Sequence, residues 1–301
     1  MSILPVRLDA VTGAEPVPDE EITGEPSLWH RWRHSPSAIV GSVISAGVVV
    51  VAVVSLVWTP YSPLAINMAA TFARPSAQHL LGTDQYGRDV LSRLMSGTDA
   101  TLYAGVVSVL GAGAIGIPAG LYAAQRGGLP GQLVLRLADL VYAFPALLVA
   151  VVLATDFGGS TLTVMGAVAL AFVPVFARVT RSGALGVLSL DYVTAARACG
   201  VSRTRILRRH VLPNIAPLVI TQMTLLLSVA VLADAALTYL GLGAPPPAAS
   251  WGLMLEEAQR YMGTDPLLVV WPAVTIALCV LGFNLLGDGL RDVFDPRRRD
   301  R

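Results

Sequence analysis

The sequence predicts an all-α membrane protein with six transmembrane helices, from its composition, its long apolar runs and the placement of its arginines. Of 301 residues, 54% are hydrophobic and only 14% are charged, which is too apolar for a soluble domain of this size. Six apolar runs each approach the ~20 residues that a helix needs to cross ~30 Å of hydrocarbon. The spans must be helices, because backbone groups left unpaired in lipid are too costly.

The chain divides into two tails and one membrane domain. Residues 1–38 are polar and carry five acidic residues between Glu15 and Glu25, a composition that predicts a flexible cytoplasmic tail. This tail is not a signal peptide, because the apolar run that follows it begins too late and is too long. The membrane domain is expected at 39–290 and a basic tail at 291–301. The predicted spans are 39–58, 101–123, 136–155, 161–180, 213–236 and 267–288.

Arginine counting sets the predicted orientation, since loops on the cytoplasmic side of a membrane are enriched in basic residues. With the N-terminus inside, 17 of the 21 arginines fall on the cytoplasmic side, and both termini lie there. The outside keeps four arginines, which are Arg74, Arg88, Arg93 and Arg260. The arrangement predicts a multi-pass protein with an external segment at 59–100 and a cytoplasmic loop at 190–213.

No catalytic or metal-binding constellation is visible, so we expect a chain that is not itself an enzyme. All 21 basic residues are arginine, and without a lysine the chain cannot carry the phosphate-binding loop of a P-loop ATPase. The four histidines are scattered over termini and loops without metal-ligand spacing. The GxGxxG pattern at Gly111–Gly116 lies inside an apolar span, where it predicts a small-residue packing face. Cys199 and Cys279 are interpreted as buried small apolar side chains.

The net charge of +1 argues neither for nor against nucleic acid, and we expect no nucleic-acid partner. Polar residues inside the predicted spans are candidates for lining a transport path. They are Asp234, Asp139, Gln222 and Asn284. An ionised aspartate near mid-membrane costs about 2.5–3.5 kcal/mol on insertion scales, so it should face protein or water. Hydrogen bonding between helices is the alternative, favoured for Asp139 through an ion pair with Arg136 or Arg178 and left open for Asp234.

A basic amphipathic stretch at 191–214 lies between two apolar spans. Gly200 separates a first helix from a second short helix, which Ser202 can cap. Pro213 fits the first turn of the next span, where its missing N–H costs nothing. An ordinary positively charged loop is the alternative, but a helix–glycine–helix unit is better suited to a partner's groove. The second helix is predicted to carry an apolar stripe of Ile206, Leu207 and Val211, with arginines on the remaining face.

Charged residues at helical spacing also occur between His79 and Arg93. Asp84 and Arg88 are spaced i,i+4. Asp89 and Arg93 have the same spacing, and such pairs are worth roughly a few tenths of a kcal/mol each on an exposed helix. The residues alone favour a helix lying at the membrane interface with solvated ion pairs.

The pattern Ala195-Ala196-xxx-Gly200-x(9)-His210-x-Leu212-Pro213 resembles the EAA coupling loop of ABC importer permeases. In that family the loop inserts into a cleft on the ATP-hydrolysing subunit. Two positions depart from the pattern, because Thr194 stands where the motif has Glu and His210 where it often has Ile. Asp191, one helical turn earlier, offers a partial replacement for the missing carboxylate. The residues that the resemblance assigns to ATPase coupling are Thr194, Ala195, Ala196, Gly200, Val201, Arg203, Arg205, Leu212 and Pro213.

The stretch 79–93 is similar to the segment that precedes the second span in the dipeptide, oligopeptide and nickel branch of these permeases. Residues 136–145, 237–254 and 283–297 resemble the same branch, so that the likeness covers 40–298 in order. We hypothesise that residues 79–95 dock a binding protein or shape an outer gate. The motif residues of the external stretch are Gly82, Thr83, Asp84, Gly87, Arg88, Asp89 and Arg93.

The resemblance implies a type I ABC importer permease fold and a role in importing dipeptides or oligopeptides across a bacterial cell membrane. It implies three kinds of partner: a homologous permease in a heterodimer, one or two ABC ATPase subunits, and an extracytoplasmic substrate-binding protein. ATP and Mg would be bound by the ATPases, and no cofactor by this chain. Closure of the ATPases would pull on the coupling loop and open the path outward.

Other functions remain open beside this one. The same branch carries nickel, glutathione and haem, so each is an alternative cargo. A secondary transporter driven by an ion gradient is a different class, which should show internal repeats and broken helices at mid-membrane. We see no convincing repeat in the sequence. A membrane-embedded enzyme or a structural scaffold is the other rival class. The lack of paired His, Glu or Ser residues in the spans disfavours the enzyme.

Overall fold

The computed structural model describes residues 28–294, and its regular structure throughout that range is helical. Within the described part, Thr83 and Asp89 form the single bridge between extended residues. The all-α class predicted from the sequence is confirmed. In chain order the α-helices are α1 (Leu28–Arg33), α2 (Pro36–Ser55), α3 (Val90–Arg126), α4 (Gly128–Tyr142), α5 (Ala146–Phe157), α6 (Thr161–Leu188), α7 (Asp191–Ala198), α8 (Arg203–Ile206), α9 (Leu212–Tyr239), α10 (Trp251–Gln259) and α11 (Leu267–Phe294).

Most of the two predicted tails, at 1–27 and 295–301, lies outside the described residues. The N-terminal boundary at 38 needs correction, because α1 and the start of α2 are already helical before it. Pro36 occupies the first turn of α2, where its missing N–H is not needed. Ser35 caps the helix by accepting a hydrogen bond from the backbone N–H of Ala38.

Five helical segments are long and apolar enough to cross a membrane: α2, α3, α6, Arg203–Tyr239 and α11. The pair α4 and α5 supplies a sixth span if it is counted as one, but it is bent by 78°. The span predicted as one helix at 136–155 is therefore two helices, which together begin earlier, at Gly128. Pro145 has no N–H to continue the helix and disfavours helical backbone at Phe144, so the two helices break there.

The second span is longer than its apolar run. α3 begins at Val90 rather than near 101, and it extends over 37 residues, about 55 Å at 1.5 Å per residue. Asp89 caps it by accepting a hydrogen bond from the Ser92 N–H at 2.8 Å. Residues 90–100, predicted to belong to an external segment, are thus the first turns of the helix.

The glycine pattern in α3 is a packing face, as predicted. Gly116 lies against α6, where an added Cβ would stand 2.6 Å from both the Phe176 Cβ and the Val173 carbonyl oxygen. On α6, Ala167 is fully buried in the same apolar cluster, with Ala171 half-buried beside it. The small side chains let the two helices approach closely along their length.

α9 packs against α3, α6, α10 and α11, and its direction defines the two ends of the bundle. The segment α7–α8 precedes it, and we call that end the loop end. α10 follows it, and we call that end the α10 end. α3 runs between the same two ends, since it begins beside α10 and finishes beside the loop.

Candidate functional site

The 191–214 loop is two helices joined by a glycine turn. α7 ends at Ala198, and Gly200 then adopts φ +77, a left-handed conformation that glycine adopts without strain. The N–H of Gly200 donates to the Arg197 carbonyl at 3.0 Å, and the N–H of Val201 donates to the Ala196 carbonyl at 3.1 Å. This pair of bonds is a Schellman cap, which satisfies the last carbonyls of α7. The predicted break at Gly200 is confirmed.

The second half of the loop runs into α9 without a gap. α8 continues as a π-helical turn at Leu207–Val211, and Pro213 stands in the first turn of α9, as predicted. Ser202 occupies the N-cap position of α8, but its side chain makes no capping hydrogen bond, contrary to the prediction.

One face of the loop is buried against the ends of the long helices. Val193 and Val211 are fully buried, and Ile206 is 2% exposed. They pack with Ala124 at the end of α3 and Leu188 at the end of α6. The apolar stripe predicted on the second helix is therefore confirmed, and it seats the loop firmly on the bundle.

The opposite face of the loop is open. The residues predicted to contact a partner lie as follows: Thr194, Ala195, Gly200, Arg203, Arg205, Leu212 and Pro213 are exposed, and Ala196 and Val201 are half-buried. Cys199 is also exposed, so the prediction that both cysteines are buried holds only for Cys279. Cys199 is exposed because it follows the last residue of α7 on the open side of the turn.

A polar tie that the sequence did not reveal joins the two ends of the loop. The Asn214 amide donates to the His210 carbonyl at 2.6 Å and to the Tyr192 hydroxyl at 3.3 Å. The rings of Tyr192 and His210 pack at 5.9 Å between centroids. The first turn of α7 is thereby linked to the first turn of α9, across 22 residues of sequence.

The external motif has a different structure from the predicted exposed helix. Residues 79–89 form turns closed by the Thr83–Asp89 bridge, with Gly82 and Gly87 at positive φ. The predicted Asp84–Arg88 pair is present at 2.6 Å, but both side chains are 5% exposed. Asp84 also accepts from the backbone N–H groups of Tyr86 and Arg88, which holds the turn closed.

The predicted Asp89–Arg93 pair does not form. Asp89 is occupied as the cap of α3, and it lies 2.9 Å from the His79 ring nitrogen. Arg93 points the other way, and its Nη1 donates to Asp84 at 2.7 Å and to Glu257 of α10 at 2.7 Å. A cap and an ion pair compete for the same carboxylate, and at Asp89 the cap prevails.

Glu257 completes a buried network of two carboxylates and two guanidinium groups. It accepts from Arg93 and, at 2.8 Å, from Nη2 of Arg88, with its own side chain 11% exposed. Each buried charge thus has an opposite partner, which buried ions require. No local pattern in the sequence points to Glu257, because it is 164 residues from Arg93.

The four candidates for path lining are spread over three helices, and within residues 28–294 no hydrogen bond joins any two of them. Asn284 accepts from the Ser228 hydroxyl at 2.8 Å, which is a contact between α11 and α9. Asp234 is buried on α9, and Gln222 is half-buried on the same helix. Asp139 pairs with Arg178 at 2.6 Å, one of the two partners expected for it.

The Asp139–Arg178 pair is notable for its exposure, since the two side chains are 56% and 42% exposed. The Arg178 guanidinium also lies 4.7 Å from the centre of the Tyr142 ring. The neighbouring Ala138 is buried, so the pair sits on the flank of α4 rather than on its inner face.

Comparison with known proteins identifies the family. Residues 116–300 match the family described as binding-protein-dependent transport system inner membrane component. The dipeptide transport system permease protein of Alkalihalophilus pseudofirmus is 35% identical over 288 residues, 94% of each chain. The glutathione transport system permease protein of Escherichia coli O157:H7 is 36% identical over 294 residues, 97% of each chain.

The fold is also found in a solved structure. A chain of the inward-facing MetNI methionine ABC transporter aligns with a TM-score of 0.56 and 21% identity, covering 67% of this chain and 96% of that one. At this identity the likeness is one of fold. The family match and the relatives above 30% identity show that this chain belongs to the binding-protein-dependent transport system inner membrane component family, as a permease subunit of an ABC importer.

Proposed function

We propose that this chain forms, with a homologous permease, the path of an ATP-driven importer of small peptides, and that the 191–214 loop couples it to ATPase subunits. The observation that carries the coupling is the shape of the loop. A helix–glycine–helix unit presents an open face of small and basic residues while its other face is buried in the bundle. Such a unit can enter a partner's groove without unfolding.

The buried face explains how movement of a partner would reach the path. Val193, Ile206 and Val211 pack on the ends of α3 and α6, so a displaced loop carries those helix ends with it. The Asn214 tie to Tyr192 links the same displacement to α9. Thr194, Ala195 and Gly200 would make the contact with the ATPase.

The family and the arginine distribution support the proposal for the remaining partners and for the orientation. The loop end would be cytoplasmic, as would both termini, and one or two ATPase subunits there would bind ATP and Mg. The α10 end would face outward and receive substrate from a binding protein. The buried ion pairs of Asp84, Arg88 and Glu257 hold the shape of the surface above them. That surface is suited to docking the binding protein or to shaping the outer gate.

The proposed cargo rests on the relatives. One relative is named for dipeptide transport and another for glutathione, which is itself a tripeptide. Both names point to small peptides, and glutathione is the specific alternative. Nickel and haem have less support, because the predicted lining residues include no histidine or cysteine.

The water-filled path would pass the flank of α4. An ion pair as exposed as Asp139–Arg178 should face water or another protein chain rather than lipid tails. Asp234, Gln222 and Asn284 would line other parts of the path.

Affinity purification of the tagged chain in mild detergent tests the proposal. We expect an ATPase and a second permease to co-purify. Gly200→Trp should release the ATPase, because φ +77 strains a bulky side chain and the added ring would occupy the open face. Gly200→Asn is the matched control, since asparagine tolerates this backbone. A complex without ATPase that still transports in proteoliposomes would favour a secondary transporter.

A further inference from the structure

A cavity of about 320 Å³ opens where the loop meets the ends of α3 and α6. It is large enough to hold several water molecules or a side chain from a partner. Its apolar lining consists of Leu188, Val201 and Ile206. Its polar lining consists of Gln125, Arg197 and Arg203.

The two arginines bring positive charge to the cavity without a balancing carboxylate. Among residues 28–294 neither Arg197 nor Arg203 has a side-chain hydrogen bond or an ion pair, and no acidic residue lines the cavity. The whole stretch 191–214 holds five arginines and one aspartate, Asp191. Asp191 forms no ion pair with either arginine.

This arrangement favours an anionic group. Two guanidinium groups that share a cavity repel each other, and a carboxylate between them removes that repulsion and gains charge-assisted hydrogen bonds. Arg197 and Arg203 are both exposed, so the attraction strengthens when a docked ATPase subunit excludes water from the cavity. The Gln125 amide can add a neutral donor from the end of α3.

We propose that this cavity receives a carboxylate side chain of the ATPase subunit, held between Arg197 and Arg203. The inference rests on the proposed coupling function and names the chemistry of its partner. The contact would reach further than the loop surface, because Gln125 and Leu188 belong to α3 and α6. A carboxylate seated there would bear directly on the ends of two membrane-spanning helices.

The test compares two double variants of the full complex. Arg197→Gln/Arg203→Gln removes both charges at the cavity. Arg208→Gln/Arg209→Gln removes two charges from exposed residues of the same loop that do not line it. ATPase retained on the immobilised chain is measured against NaCl concentration. We expect the cavity variant to weaken retention ~10-fold or more and to flatten its salt dependence, with a much smaller effect from the control.

A charge-reversal experiment identifies the carboxylate of the ATPase that enters the cavity. Arg197→Glu should abolish peptide uptake, and substitution of a single ATPase carboxylate by lysine or arginine should restore it. Unfolding temperatures of the variants, measured in detergent, must match that of the unmodified chain. This condition separates lost contact from lost fold.

Several outcomes would overturn the inference. Equal weakening by both double variants would show a general effect of loop charge. Rescue of the cavity variant by deletion of residues 2–24 would instead identify the acidic N-terminal segment as the occupant. Loss of the difference in liposomes free of anionic lipid would identify a lipid phosphate. If the ATPase fails to co-purify with the unmodified chain, the proposed coupling function is wrong. If it co-purifies and the cavity variant retains it as well as the unmodified chain does, only this inference is wrong.

Discussion

Nη1 of Arg93 lies 2.7 Å from a carboxylate oxygen of Glu257, and this contact joins the first turn of α3 to α10. Each of the two also forms an ion pair with a residue of the external motif. Arg93 pairs with Asp84, and Glu257 pairs with Arg88. The motif is therefore a clamp between the second span and the segment that precedes the last one. Its charged side chains are buried and paired within the fold rather than displayed to solvent.

Removal of one charge from this network should destabilise the protein strongly. Glu257→Gln leaves Arg88 and Arg93 with one carboxylate between them, and breaking a buried ion pair typically costs about 3–5 kcal/mol. We expect a clear fall in the unfolding temperature in detergent. Glu256→Gln is the matched control, because its partner Arg260 is 70% exposed and should contribute little. Equal shifts in unfolding temperature for the two variants would contradict a stabilising role of the buried network.

The close approach of α3 and α6 predicts a second effect. At Gly116 a Cβ would meet the Val173 carbonyl oxygen at 2.6 Å, and backbone cannot yield as a side chain does. Gly116→Ala should therefore destabilise by about 1–3 kcal/mol through overpacking. At Gly166 of α6 no atom lies within 4 Å of an added Cβ, so Gly166→Ala should be neutral or slightly stabilising. Thermal unfolding of the two variants in one detergent checks this, and an unstable Gly166→Ala would count against it.

The parts of this fold that were predictable depend on local signals. Gly200 and Pro213 mark the turn and the next helix within a few residues, so the loop was predicted almost as found. The external motif was not, because its two arginines are buried against Glu257, which lies far along the chain. Charge spacing suggested a helix, whereas burial and the cap at Asp89 selected turns.

Membrane helices were predictable where apolar runs and helices coincide. The first turns of α3 are packed against α10 and the ion network, so they need no continuous apolar run and were missed. The break at Pro145 had a local signal in the proline, but an apolar run on both sides concealed it. Path lining stays a prediction, because it depends on the second permease.

The Asn214 tie predicts a defect in coupling rather than in assembly. Asn214→Ala removes hydrogen bonds to His210 and Tyr192, each worth about 1 kcal/mol, and so weakens the link between α7 and α9. We expect the ATPase to remain bound while peptide uptake per ATP hydrolysed falls. Tyr192→Phe removes only the hydroxyl contact and should have a smaller effect. Proteoliposome assays of uptake and hydrolysis measure the ratio, and an unchanged ratio in Asn214→Ala would rule out the tie as a transmitting element.

The exposed Asp139–Arg178 pair predicts where water reaches α4. Cysteine scanning can test this, because the chain has two native cysteines, of which Cys279 is buried and Cys199 can be replaced by serine. In that background we expect Asp139→Cys to react with a water-soluble thiol reagent in the assembled transporter in proteoliposomes.

The control stands one residue further along the same helix. Leu140 is 59% exposed at nearly the same depth, but a step of about 100° around the helix turns it away from the Asp139 flank. Leu140→Cys should therefore stay unreactive, since a thiol in lipid is not ionised and the reagent does not enter there. Equal reactivity at both positions would place the whole face of α4 in water, and no reactivity at Asp139→Cys would place the ion pair against the second permease instead of the path.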